Sequence, residues 1–269
     1  MSNTYYPGAL SPTLGPGMIA THIVFFDDFI TGGAVLDAEL ASESDPAGGK
    51  FSQVADAAEW LVTIGNDTTP ATTFTDETIT IADAAGGILS IASDADDNDY
   101  IQIQLNGECW QLAEDRPVMF ECRFSVDDAD TVDLFVGLGI TDADINDGLT
   151  DFIGFGDSAD TGDLWCGNGK DATATDEPFD DITNGTRTDT GTDLADGSAT
   201  TEFVTVRFIA DPTSIKYYVG ATDAALSLVA THTTDIPDNE LLSPAIAIRN
   251  ASAAASTIHV DYIFVSQRR

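Results

Sequence analysis

Residues 116–140 read RPVMFECRFSVDDADTVDLFVGLGI and contain the clearest strand pattern of the chain. Apolar and polar side chains alternate on both sides of the polar residues 127–131, which is typical of two strands that are each buried on one face. This alternation predicts an antiparallel β-hairpin, and a second sheet must then cover its apolar face. The inward positions are predicted to be Val118, Phe120, Cys122, Phe124, Val126, Val132, Leu134, Val136, Leu138 and Ile140.

Short apolar segments recur along the rest of the chain at a spacing of roughly ten residues, separated by Gly, Asp, Pro and Asn. No segment shows a sustained helical period. In the last apolar segment, one face is expected to carry Ile258, Val260, Tyr262 and Phe264. We therefore predict an all-β chain with a single two-sheet antiparallel sandwich over residues 22–269.

The charge of the chain is strongly one-sided, with 10 Lys and Arg against 46 Asp and Glu and a formal net charge of -36. Binding to nucleic acid or to an anionic membrane requires clustered basic residues, and here they are scattered singly. We therefore expect neither partner. An acidic solvated surface and bound divalent cations are both compatible with this charge.

The three cysteines do not form a disulfide framework. Cys122 occupies an inward position and is expected to be a core residue, whereas Cys109 and Cys166 each adjoin a Trp and could pair. The start of the sequence does not resemble a secretory leader, and no apolar window is long enough to span a bilayer. We therefore expect synthesis in a reducing cytosol.

Residues 1–26 contain no Asp, Glu, Lys or Arg, although 21% of the whole chain is charged. Three Pro residues and repeated Gly residues exclude a helix there. We predict that residues 1–21 form an extended arm that docks on a partner, with a frayed terminus as the alternative. The side chains expected to make this contact are Tyr5, Tyr6, Leu10, Leu14, Met18 and Ile19.

One acidic loop has the spacing of a calcium site, because Asp142, Asp144 and Asn146 alternate and could direct oxygens toward one ion. The loop is not an EF-hand, since its glycine, Gly148, comes one position too late and Ile153 stands where the bidentate Glu belongs. A calcium loop of another design and a plain solvated turn both remain open.

No catalytic residues are predicted. No strand carries acids at alternate positions, as a sandwich glycosidase would, and the nucleophile elbow, P-loop and paired zinc ligands are missing from the sequence. Aromatic rings can stack on sugars, and the candidates for such a platform are Trp165, Trp110 and Tyr100. Their alternative role is in the core.

Several short motifs, taken in order, resemble a known family and together cover nearly the whole chain after residue 22. They are Phe25-Phe26-Asp27-Asp28-Phe29, Gly86-Gly87-Ile88-Leu89, Phe120-Glu121-Cys122-Arg123-Phe124, Phe135-Val136-Gly137-Leu138, Phe152-Ile153-Gly154-Phe155 and Val260-Asp261-Tyr262-Ile263. This order is similar to that of the concanavalin A-like jelly rolls encoded beside the head genes of tailed bacteriophages.

The resemblance implies a concanavalin A-like jelly roll that decorates or cements the outer surface of a phage capsid and has no enzymatic activity. The expected partners are then the major capsid protein and further copies of the chain, in a homotrimer or another homo-oligomer. The expected location is the virion, after synthesis in the host cytoplasm. A lectin-like carbohydrate-binding module, on the virion or on a fibre, is the alternative, and a glycan hydrolase is the third.

Overall fold

The computed structural model describes residues 22–27, 50–54, 60–66, 78–83, 87–93, 95, 97–157, 162–172, 178–179, 184–194 and 202–268. The predicted arm, residues 1–21, lies outside these residues together with its six contact side chains, Tyr5, Tyr6, Leu10, Leu14, Met18 and Ile19. In the described part of the chain there is no helix of the length and apolarity that a bilayer crossing needs.

Sixteen strands and three single-turn 3₁₀ helices make up the described structure. The strands are β1 (His22–Asp27), β2 (Lys50–Val54), β3 (Trp60–Asn66), β4 (Thr78–Asp83), β5 (Ile88–Ala92), β6 (Asp99–Leu105), β7 (Val118–Val126), β8 (Val132–Gly139), β9 (Phe152–Asp157), β10 (Asp163–Gly169), β11 (Gly185–Asp193), β12 (Val204–Asp211), β13 (Ser214–Gly220), β14 (Ser227–His232), β15 (Ser243–Asn250) and β16 (Thr257–Arg268). The 3₁₀ turns are Ala129–Thr131, Ile145–Asp147 and Asp223–Ala225.

The strands form two eight-stranded antiparallel sheets. Sheet A has the order β14-β13-β12-β7-β16-β5-β4, and β1 pairs with the C-terminal half of β16. Sheet B has the order β11-β10-β9-β8-β15-β6-β3-β2. The two sheets pack face to face, which confirms the predicted all-β, two-sheet jelly-roll sandwich.

The predicted hairpin of residues 116–140 is wrong, because its two strands belong to different sheets. β7 lies between β12 and β16 in sheet A, whereas β8 lies between β9 and β15 in sheet B. Residues 127–131 therefore cross the sandwich instead of turning back within one sheet. The apolar faces of the two strands, which the alternation identified correctly, point at each other across the core.

The space between the sheets is filled by one continuous apolar cluster. The rings of Phe120 on β7 and Phe208 on β12 stack with their centroids 5.1 Å apart, and Phe155 of sheet B meets Tyr217 of sheet A edge to face at 5.5 Å. Trp110 is only 2% exposed and belongs to this cluster. Burial of this apolar surface is the main force that holds the two sheets together.

A bulge in β16 reverses the predicted orientation of two aromatic residues. The register with β7 shifts between Val260 and Tyr262, so that Ile258 and Val260 face the core but Tyr262 and Phe264 face outward. Ile263 and Val265 take the inward positions beyond the bulge. The outer face of sheet A therefore gains two aromatic side chains that simple alternation assigns to the core.

Candidate functional site

The outer face of sheet B has a floor without side chains across three neighbouring strands, β8, β9 and β10. On β8, β9 and β10 the outward positions alternate with core residues and are largely glycines, namely Gly137, Gly139, Gly154, Gly156, Gly167 and Gly169. We refer to these six residues as the glycine floor. Because glycine has no Cβ, other side chains can lie directly on the backbone of the sheet.

Apolar side chains of the chain itself occupy this floor. The rings of Phe135, Phe152 and Phe179 lie with centroids 6.0 to 6.1 Å apart. Ile145 and Leu149 come from the connection between β8 and β9 and complete the cover. A Cβ built on Gly156 would lie closer than 3.0 Å to the ring of Phe179, and one on Gly139 would clash with Leu149. Among the described residues, the middle of this face is therefore filled by packed side chains.

Two glutamines hold the connection of residues 140–145 onto the sheet. Gln104 Nε2 donates to the carbonyl of Ile140 at 2.7 Å, and Gln102 Nε2 donates to that of Asp142 at 2.8 Å. Gln102 Oε1 accepts from the backbone N–H of Ile145 at 2.9 Å. Both side chains are buried although their alternation with Ile and Leu predicts a solvated face. The sequence analysis did not predict that these two glutamines anchor the connection. The one feature that could have indicated it is the presence of two uncharged amides on this strand of a highly acidic chain.

The predicted calcium residues lie in this same connection. Asp142 Oδ1 accepts from the backbone N–H of Asp144 at 2.9 Å, and Asn146 Nδ2 is 3.4 Å from the carbonyl oxygen of Asp133. Asp144 and Asn146 are buried. Among the described residues no group of three or more His, Cys, Asp or Glu side chains is arranged to hold a metal ion. The calcium site stays a prediction without a preformed ligand cluster.

A buried acid and a buried cation lie near the calcium candidate. Asp133 on β8 and Arg249 on β15 lie directly opposite each other in the register of sheet B, and both are buried. The turn Ile145–Asp147 packs on these same two strands. The strands under the calcium candidate therefore carry a guanidinium group of the chain itself.

The three aromatic candidates for sugar binding lie in different places. Trp110 is in the core between the sheets, and Tyr100 is 2% exposed, with its hydroxyl 3.2 Å from the carbonyl of Ala143. Trp165 is half-buried on the outer face of sheet B, where it packs against the cluster on the glycine floor. The guanidinium of Arg187 lies 5.0 Å from the centroid of its ring. Only Trp165 thus has a partly accessible ring.

Carboxylates do not form an alternating pair on any described strand. Asp163 and Asp193 lie opposite each other across β10 and β11, at the ends of both strands. The buried Glu121 on sheet A forms an ion pair with Arg207 and accepts a hydrogen bond from the hydroxyl of Tyr262 at 2.7 Å. Glu121 is therefore held by contacts within sheet A, and its carboxylate is not accessible to a substrate.

One histidine and two cysteines, His232, Cys122 and Cys166, are buried inside the sandwich, whereas Cys109 is exposed. His232 is buried between the sheets, where its Nδ1 is 2.7 Å from Asn168 Oδ1 and its Nε2 is 2.9 Å from the hydroxyl of Thr188. All three cysteines are free thiols, so the possible pairing of Cys109 with Cys166 does not occur here. Burial raises the pKa of the Cys166 thiol to about 12, which makes it a poor nucleophile.

Comparisons with known proteins define the fold of the chain but not a family. No protein-family model and no curated protein matches the sequence. Among solved structures, an endo-1,3-beta-glucanase from Streptomyces sioyaensis has a TM-score of 0.54 at 13% identity, over 92% of this chain and 97% of that chain. A protein of unknown function from Shewanella oneidensis has a TM-score of 0.51 at 14% identity, over 98% and 97%.

A third similar structure is arcelin-5, a lectin-like defense protein from Phaseolus vulgaris, with a TM-score of 0.50 at 8% identity over 93% of this chain and 100% of that chain. The chain thus has the fold of a concanavalin A-like jelly roll. This fold carries both enzymes and lectin-like proteins, so the fold alone does not decide between catalysis and binding.

Proposed function

We propose that this chain is a non-enzymatic structural protein of a tailed-phage virion that decorates the outer surface of the capsid. The observation that carries the proposal is the covered glycine floor. A polysaccharide hydrolase needs an open cleft with two carboxyl groups about 5 to 9 Å apart. Here the centre of the outer face of sheet B is filled by Phe135, Phe152 and Phe179.

The charge distribution of the sequence supports an assembly role. A body with a formal charge of -36 repels its own copies and other acidic proteins. Residues 1–26 carry no charged side chain and include apolar residues that an attachment segment can bury. In this proposal the arm, residues 1–21, contacts the major capsid protein or a neighbouring copy, and the protein is located on the virion.

A lectin-like carbohydrate-binding module is the second candidate, and Trp165 is the observation that favours it. Its ring is half-buried at the edge of the cluster on sheet B, beside the exposed Arg187. An aromatic ring and a guanidinium can together bind a sugar with an acidic group. The contacts of Trp165 with Arg187 and with the phenylalanine cluster leave less of the ring free for stacking.

The proposal is tested with capsids assembled from the major capsid protein encoded in the same genome. The full-length chain should sediment with these capsids, and a chain without residues 2–21 should remain in the supernatant. Circular dichroism of the truncated chain should retain the β-sheet spectrum, which separates a loss of attachment from a loss of folding. A full-length chain that does not bind the capsids, or a truncated chain that binds equally well, would refute the proposal.

The second candidate is tested separately on a glycan array with the intact chain and with Trp165→Ala. Binding that disappears in the folded variant would support the lectin-like role. An array without binding to the intact chain removes that candidate and leaves the capsid experiment unaffected.

A further inference from the structure

The outer face of sheet A differs in composition from the rest of the chain. The outward positions of β7, β12, β13, β14 and β16 form rows across five strands, because the register aligns them. One row contains Leu228, Tyr218, Arg207, Glu121 and Phe264, and the next contains Thr231, Lys216, Ile209, Met119 and Ser266. We refer to this surface as the sheet A face.

The sheet A face is close to electrically neutral. Its charges balance in number, since the cations are Arg123, Arg207, Lys216 and Arg268 and the acids are Glu121, Asp211, Asp223 and Asp261. The chain as a whole has 10 cations against 46 acids. Two of the carboxylates are already bound, since Arg123 donates to Asp261 at 2.6 Å and Arg207 pairs with Glu121. A chain with a large negative charge therefore has one face on which the described charges balance.

The same face presents apolar side chains to solvent. Leu228 is 55% exposed and Tyr218 beside it is half-exposed, as are Ile209 and Met119 on the next strands of the face. The ring of Phe203, at the start of β12, lies 4.3 Å from the guanidinium of Arg123 and is half-exposed as well. Exposed apolar residues grouped on one flat surface are characteristic of a protein interface.

The accessible part of the face is sufficient for a weak contact. Phe264 on β16 is buried in the single chain, so the accessible part lies mainly on β14, β13, β12 and β7. Four strands about 4.8 Å apart, each with about seven residues, span roughly 19 Å by 24 Å. Two such surfaces in contact would bury roughly 900 Å² in total, which is in the range of weak protein interfaces. A contact between identical faces is closed by a two-fold axis.

We propose that the sheet A face binds the same face of a second copy of this chain, forming a two-fold dimer. Like-charged copies approach most easily where their surfaces are neutral, and the exposed apolar residues then supply the favourable free energy. The inference does not depend on attachment to a capsid and therefore stands or fails separately from the proposed function.

The dimer is tested by sedimentation velocity of the full chain over a range of concentrations. Leu228→Asp should raise the dissociation constant at least about tenfold, because it places an unpaired charge beside Tyr218 in an apolar part of the contact. The matched control is Leu241→Asp, since Leu241 is also exposed, at 42%, but precedes β15 of sheet B. This control should dimerise like the original chain.

A second variant and a salt series keep the test independent of any folding defect. Lys216→Glu, on an exposed side chain of β13, makes the face acidic and should also weaken the dimer, while its circular dichroism stays unchanged. Added sodium chloride should tighten the dimer of the original chain by screening the two acidic bodies. The proposal is overturned if the chain is monomeric at about 100 μM and high salt, or if it forms a trimer. It is also overturned if Leu228→Asp and Leu241→Asp weaken dimerisation equally.

Discussion

His232 of sheet A and Asn168 of sheet B form a hydrogen bond of 2.7 Å between Nδ1 and Oδ1 that joins the two sheets. Asn168 Nδ2 donates to the carbonyls of Thr234 and Asp235, so its Oδ1 is the acceptor and His232 Nδ1 carries the proton. His232 Nε2 is then unprotonated and accepts from the hydroxyl of Thr188. The network requires the neutral imidazole.

Acid should therefore weaken the sandwich through His232. Burial lowers the pKa of His232, so the unfolded chain binds more protons than the folded chain between the two pKa values. The contribution is complete above about pH 6.5, the unfolded value, and is lost as the pH falls toward the folded value. Thermal unfolding from pH 8 to pH 4 should show a steeper loss of stability for the original chain than for His232→Gln. Parallel curves would contradict this assignment.

Side chains added to the glycine floor should destabilise the fold in a graded way. A Cβ on Gly156 meets the backbone oxygen of Leu134 and the ring of Phe179 at less than 3.0 Å, whereas one on Gly167 meets its nearest atoms at 3.2 Å. Gly156→Ala should lower the free energy of unfolding by about 1–3 kcal/mol, as overpacking of a core does. Gly167→Ala should lower it less. Urea unfolding of both variants measures the difference, and equal losses would show that the floor is not tightly packed.

A chelator should leave the melting temperature unchanged. Gln102 and Gln104 already hold the calcium candidate loop, and Arg249 supplies a buried positive charge beside Asp133. A bound ion would add about 2.7 kcal/mol at a hundredfold excess over its dissociation constant, which calorimetry detects easily. A melting temperature that falls with chelator and recovers with calcium, but not with sodium, would establish an ion site in this loop.

The ion pair of Glu121 with Arg207 should be required for the stability of sheet A. Removal of the cation in Arg207→Met leaves the buried carboxylate with only the hydroxyl of Tyr262, and breaking a buried pair typically costs about 3–5 kcal/mol. The double variant Glu121→Gln with Arg207→Met should recover part of the loss. Urea titrations of the three proteins form the comparison. A single variant as stable as the original chain would mean that Glu121 is solvated in the folded state.

Alternation was sufficient to predict the sandwich but not the partners of its strands. Residues 118–126 and 132–140 have the same apolar pattern whether they pair in one sheet or face each other from two sheets. The choice depends on the neighbours of β7 and β8, which come from distant parts of the sequence. The bulge at Val260 likewise depends on pairing with β7 and leaves no mark in the local pattern.

The covered face of sheet B could be predicted in part from the sequence. Residues 152–156, FIGFG, place glycine at alternate positions, which indicates a surface that something approaches closely. The ring that lies there, Phe179, comes from a polar stretch without strand periodicity, so its position could not be deduced locally. Trp110 and Tyr100 are buried, which is the core alternative to the predicted sugar platform. Both alternatives stayed open because sequence does not distinguish a buried ring from a stacking platform.

The most direct test of the decoration role is a reconstruction, by electron cryo-microscopy, of the particle whose genome encodes this chain. The account predicts density for a two-sheet sandwich on the outer surface of the capsid, with residues 1–21 extended against the major capsid protein. Particles that contain the chain only in a tail fibre, or that lack it, would contradict the assignment.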